Sequence, residues 1–235
     1  MKTRKINFYL SCIISGILCS CTSPHPSVAE LRASKRTKDS VALLQQERTL
    51  AYTDSLLQVT LPQIDPLLKT FVYEKNDRYQ DHGYYVHRLL RTTAHIQHNY
   101  LQAQVCDDRQ LVLKSHYYGS SALAHTTISL SADDNTNHWS GSLHSFQNEG
   151  YYEILTLSHD DAMEALRFID AFAASRIRVT LSGKRQYNYY LPDAEKQALV
   201  QTLQLAVLMN DIHQLETQLR QTSIQVEKYK KRLEK

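Results

Sequence analysis

The chain has 235 residues, 42% hydrophobic and 22% charged, with 27 basic against 24 acidic side chains. Lys2, Arg4 and Lys5 alone account for the net charge of +3, so the remaining chain is balanced and lacks the basic stripe that a nucleic-acid binder needs. Three of the four cysteines precede residue 22, leaving Cys106 with no later partner for an internal disulfide; it reads as a buried small apolar residue.

In chain order, the basic start is followed by an apolar run from Ile6 to Leu18, 13 residues broken only by Asn7, Ser11, Ser15 and Gly16. That is the length of an export signal rather than of a spanning helix, which takes about 20 residues. The run ends in Leu18-Cys19-Ser20-Cys21, which resembles the lipobox of bacterial lipoproteins: a leucine, two small residues, then the cysteine that takes the lipid. The resemblance implies removal of residues 1–20, a covalent lipid on Cys21 as the sole cofactor, and a bilayer as the first partner. Thr22 and Ser23 lack the acidic residue that retains some lipoproteins at the inner membrane, so the expected location is the outer membrane, facing the periplasm.

Residues 21–27, with Pro24 and Pro26, read as a tether. Residues 28–61 contain neither Gly nor Pro, and Leu43, Leu50 and Leu57 recur every seven residues beside Leu44, Ala51 and Leu56, which predicts an N-terminal helix. Pro62 and Pro66 end it. Residues 62–191 then alternate as short strands rich in Tyr, Val, Ile and Thr, with one helix opened by Ser158 and Asp161 and carrying Ala162, Leu166, Ile169 and Ala173. Two hairpins are explicit. Leu101, Ala103 and Val105 face Leu111, Leu113 and Ser115, and Ile177, Val179 and Leu181 face Tyr187, Tyr189 and Leu191. Residues 132–150 are polar and read as a long loop or an irregular edge. The expected class is α+β: a mainly antiparallel sheet of about six to eight strands with one inserted helix, flanked by the two terminal helices.

Residues 192–235 form the second strong signal, a helix without Gly or Pro after Pro192. Ala198 to Leu208 is apolar over a wide arc and should pack on the sheet. From Leu205 the pattern narrows to Leu208, Ile212, Leu215, Leu219, Thr222, Val226, Tyr229 and Leu233, a four-three alternation like a coiled-coil seam. Such a seam must meet a partner helix. The expected partner over 205–219 is the chain's own first helix, antiparallel, with oligomerisation through residues 205–235 as the other use of the seam.

Candidate chemistry is thin. His95 and His98, or His82 and His87, do not make a ligand set, and neither HExxH nor a cysteine cluster is present, so no metal site is expected. Gly119-Ser120-Ser121 lacks a nucleophile elbow, and Asp133, Asp134 and Glu149 would need the fold to unite them, so no catalytic residues are named. Tyrosine is more distinctive: 15 against 5 Phe, with doublets at Tyr84-Tyr85, Tyr117-Tyr118, Tyr151-Tyr152 and Tyr189-Tyr190. In strands each doublet should turn one ring inward and one outward, giving a candidate surface for protein or sugar. The expected function is therefore a membrane-tethered, non-enzymatic binding or assembly module with an envelope protein or glycan as partner. The competing class is a periplasmic hydrolase of envelope glycan or peptide.

Overall fold

The computed structural model describes residues 27–75, 83–91, 98–132, 137–149 and 152–234. Its elements are α1 (Val28–Thr60), a 3-10 turn (Leu61–Gln63), α2 (Ile64–Leu68), β1 (Phe71–Lys75), β2 (Gly83–His87), β3 (Tyr100–Cys106), β4 (Leu111–Tyr118), β5 (Thr127–Ala132), β6 (Asn137–Ser142), β7 (Ser145–Glu149), β8 (Tyr152–Thr156), α3 (His159–Ala171), β9 (Ile177–Ser182), β10 (Gln186–Tyr190) and α4 (Asp193–Leu233). The protein is α+β, and every strand pair is antiparallel.

The strands number ten and split into two sheets, ordered β1-β2-β3-β4-β8-β7 and β10-β9-β5-β6. The two strands beyond expectation, β6 and β7, come from the polar stretch after residue 132, and each is an edge strand. Edge strands with one open face need few apolar residues, which is why their alternation is faint. Both anticipated hairpins hold their register: Leu101, Ala103 and Val105 oppose Ser115, Leu113 and Leu111, while Val179 and Leu181 oppose Tyr189 and Tyr187.

One core joins the two sheets, α3 and the first half of α4. It includes Leu113, Leu155, Ile128, Leu130, Val179 and Leu181 from strands, and Leu166, Ile169, Leu199 and Leu203 from helices. Ser158 caps α3 by accepting the Asp161 N–H at 3.2 Å. Ala173 falls beyond the helix end and is exposed. At the start of α4, buried Lys196 donates to the carbonyls of Ala173 (2.8 Å) and Ser175 (2.7 Å) and reaches Asp193 at 2.8 Å.

The second half of α4 lies antiparallel along α1. Lys230 stands 3.5 Å from Glu47 and Arg232 3.9 Å from Asp39. Every seam position from Leu205 to Leu233 is buried or half-buried, so the pairing runs beyond residue 219 almost to the end of the helix. On α1, Leu57 and Thr53 are buried and Leu43 and Leu50 half-buried, whereas Leu44, Ala51 and Leu56 face out. A capping box starts α1: Ser27 Oγ accepts the Glu30 N–H at 3.2 Å, and Glu30 Oε2 accepts the Ser27 N–H at 2.7 Å. No helix among the described residues is long and apolar enough to cross a membrane.

Candidate functional site

The tyrosine doublets behave in two ways. Tyr117 is buried while Tyr118 is 43% exposed, and Tyr189 points inward while Tyr190 is 47% exposed, as strand alternation requires. Tyr84 and Tyr85 are both half-buried: the Tyr84 hydroxyl donates to Glu74 at 2.8 Å, and Tyr85 packs at a tilt against Tyr73 with ring centroids 5.0 Å apart. Tyr152 is half-buried, with its hydroxyl 2.5 Å from His116 Nδ1, and His116 in turn lies flat on Tyr100 with centroids 4.3 Å apart. Tyr151 and Cys21 lie outside the described residues, as do His82, His95, Asp133 and Asp134. Register places Tyr118 opposite Tyr152 and Tyr84 toward the other end of the same sheet. Tyr190 belongs to the other sheet. The structure thus distributes the tyrosines over several surfaces rather than one.

A more uniform surface is the outer face of the four-stranded sheet. Its inward positions are Ile128, Leu130, Val179 and Leu181, so the alternate residues point out. Across the strands, Gln186, Ser182, Thr127 and Ser142 form one row. Asn188, Thr180, Ser129 and Ser140 form the next, and Tyr190, Arg178, Ser131 and His138 the third. Apart from Arg178 and the titratable His138, these side chains are neutral hydroxyls and amides. Thr180 donates to Asn188 Oδ1 at 2.7 Å and Ser129 to Ser140 at 3.1 Å. At one margin the Arg176 guanidinium lies 3.6 Å over the Tyr190 ring, making a flat, stiffened platform. Short neutral groups that both donate and accept lose little rotamer entropy and cost less to desolvate than ions. That chemistry suits an uncharged polyol.

The most elaborate polar arrangement is internal. Glu153 of β8 and His125, just before β5, are fully buried. Glu153 accepts N–H groups from Leu123 (2.7 Å), Ala124 (2.8 Å) and His125 (3.2 Å), and its Oε2 lies 2.9 Å from His125 Nδ1. Ala124 has φ of 47°, which curls three successive N–H groups onto one carboxylate. Gly183 packs so closely beneath this loop that an added Cβ would stand 2.2 Å from the Ala124 carbonyl oxygen. Burial pushes the Glu153 carboxyl up, but the hydrogen bonds from Ala124, His125 and Leu123 outweigh it and hold the pKa below the ordinary value. For His125 burial dominates and lowers the pKa despite the neighbouring carboxylate. The pair is closed to solvent and ties the β4–β5 crossover to the six-stranded sheet; it offers a substrate no access.

Two further histidines are also engaged in structure. His87 Nε2 lies 2.8 Å from Gln201 Oε1 of α4, and His159 Nδ1 accepts the Leu111 N–H at 2.9 Å. Among the described residues no group of three or more His, Cys, Asp or Glu could hold a metal ion. A groove of ≈ 660 Å³ between α2 and α4 is lined by Leu67, Leu203, Val207 and Leu208 together with Asp170 and Asp211. Sequence reading did not find the polar face, because it exists only once β5 pairs with β9 across an intervening stretch of 44 residues. No family model matches the chain, and no curated protein or solved structure matches it either.

Proposed function

We propose that the chain is a membrane-tethered cell-envelope lipoprotein that works as a non-enzymatic binding module, with a lipid on Cys21 as anchor and the outer face of the four-stranded sheet as the contact for an envelope glycan. The observation that carries the reading is the composition of that face. The edge strands of a sheet are commonly guarded by Lys and other charges. Here the outward positions of β6 and β10 are Ser142, Ser140 and His138, and Gln186, Asn188 and Tyr190, and hydroxyls continue across β5 and β9 with Arg178 the one formal charge. The buried Glu153–His125 pair supports binding over catalysis, since the most organised acid–base pair of the interior is sealed.

Two measurements test it. Metabolic lipid labelling should mark the protein and fail to mark the Cys21→Ala variant; persistent labelling of the variant refutes the anchor. Co-sedimentation with purified, insoluble cell-wall glycan should be lost in a Ser129→Glu/Thr180→Glu double variant, whose side chains sit on the open face. Equal retention of both proteins, or of neither, refutes the glycan contact.

A further inference from the structure

Helix α1 is apolar on two opposite sides. Leu50 and Leu57 turn toward α4. Val41 and Val59 stand 18 residues apart, five full turns, and so share one line on the helix surface. Leu50 is nine residues from each, two and a half turns, which puts it on the far side. Along the outward line lie Val41 (62% exposed), Leu44 (51%), Tyr52 (66%), Leu56 (38%) and Val59 (65%). Together they offer roughly 500 Å² of surface, the size of the largest apolar patch on a typical monomer, which is often functional.

The order of these residues reads the same in both directions. Val41 and Val59 lie nine residues either side of position 50, Leu44 and Leu56 six, and Arg48 and Tyr52 two. A second copy laid antiparallel across this line therefore sets valine on valine at each end and the leucines level with one another on the two flanks. At the centre it sets the Arg48 guanidinium against the Tyr52 ring twice, a favourable cation–π contact. A parallel copy would oppose Arg48 to Arg48.

Charge along the hairpin selects the same arrangement. On α1 the distal part, residues 28–39, carries Arg32, Lys35, Arg36 and Lys38 against Glu30 and Asp39. The proximal part, residues 50–66, carries Asp54 and Asp65 and no Lys or Arg. Antiparallel copies place the basic end of each beside the acidic segment of the other; parallel copies would bring like charge together.

We infer that the outward face of α1 is a self-association surface on which a second copy of this chain docks antiparallel, centred on residue 50. The two copies together remove at most roughly 1,000 Å² of surface from water, the size of a weak, transient interface. Confinement to a bilayer would raise the effective concentration enough for such an interface to be populated. Two chains anchored in one bilayer meet in this way when their hairpins lie along its surface, with the two-fold axis along the bilayer normal. The inference rests on the proposed anchor for that concentration; lipid labelling of Cys21 reads the anchor separately, and failure of the self-association would leave the glycan contact untouched.

The test is photocrosslinking in cells with a benzophenone amino acid at position 59 of the full chain. Positions 41 and 59 are about 27 Å apart on one helix, so a bond between them joins two chains. The expected product is a chain–chain adduct whose linked peptide contains residue 41. Tyr52→Glu, placed on a ring already in solvent, should cut that adduct at least fivefold while leaving the thermal melt unchanged. No adduct, an adduct to residues around 59, or an adduct to lipid or to a different protein overturns the proposal, as does an adduct that Tyr52→Glu leaves intact.

Discussion

The Glu153 carboxylate lies 2.9 Å from the His125 ring, with both side chains sealed from solvent and three backbone N–H groups closing on the same two oxygens. The pair makes stability depend on pH in one direction. Both groups have folded pKa values below their ordinary values of 4.5 and 6.5, so the unfolded chain binds more protons as the medium is acidified. Their stabilisation is complete above pH about 7. It falls first as the unfolded histidine protonates below 6.5, then further as the unfolded carboxylate does so below 4.5. Urea titrations between pH 4 and pH 8 should show this loss. Glu153→Gln should cost about 3 kcal/mol at pH 7, because an amide presents a donor to the N–H groups it replaces an acceptor for. A variant as stable as the parent would refute the stapling role.

Glu195 behaves oppositely. In the first turn of α4 it gains from the helix dipole, yet it is half-buried and burial raises its pKa to about 7; its Oε2 has no hydrogen-bond partner among the described residues. A carboxyl raised in the folded state contributes stability below pH 4.5 that is lost as pH rises through 7. Glu195→Gln should therefore leave stability at pH 4.5 unchanged and raise it by about 1 kcal/mol at pH 8, after allowance for partial exposure. Equal stability at pH 8 would show that the carboxylate is solvated.

Much of this architecture is legible in the chain itself. The inward parity of Leu101, Ala103 and Val105, and the Ser182-Gly183-Lys184 turn, specify two hairpins with their registers, because slipping by one residue would turn each apolar set to solvent. The α1–α4 pairing was legible because the seam from Leu205 to Leu233 demands a helix, and the chain contains one of matching length. What was hidden is non-local. The pairing of β4 with β8 and of β5 with β9 skips intervening strands, and nothing local in Ser129 or Thr180 says that they will be neighbours. Glu153 did carry a signal: it sits at the same inward parity as Leu155, where a carboxylate is tolerated only with several donors.

Lys196 joins α3 to α4. Its ammonium is 4% exposed as a residue and donates to two carbonyls just beyond the end of α3, where the helix dipole favours a cation, while pairing with Asp193. Lys196→Met keeps the stem and deletes the donors to the part-buried carbonyls of Ala173 and Ser175. The expected cost is about 2 kcal/mol, read as a lower urea midpoint with an unchanged slope. Loss of less than about 0.5 kcal/mol would mean that water replaces the ammonium.

The hairpin should unfold before the sheets. On α1 the positions facing α4 alternate apolar and polar: Leu43, Leu50 and Leu57 are interleaved with Asp39, Gln46, Thr53 and Thr60. Its principal packing partner is α4 rather than either sheet. The ion pairs at its open end are partly exposed and contribute at most about 1 kcal/mol each. Val226, 4% exposed, is the deepest apolar contact in that distal half. Val226→Asp buries an unpaired carboxylate there and should cost the pairing about 3 kcal/mol. Because those contacts are confined to the two helices, the loss should be local. Hydrogen exchange should lose protection across residues 39–60 and 212–233, while β3, β4, β5 and β9 keep theirs, since their core is shared with α3 and the first half of α4. If β3 and β9 lose protection together with α1, the hairpin and the sheets are one cooperative unit, and the helices are part of the fold that holds the sheet face rather than a separable arm.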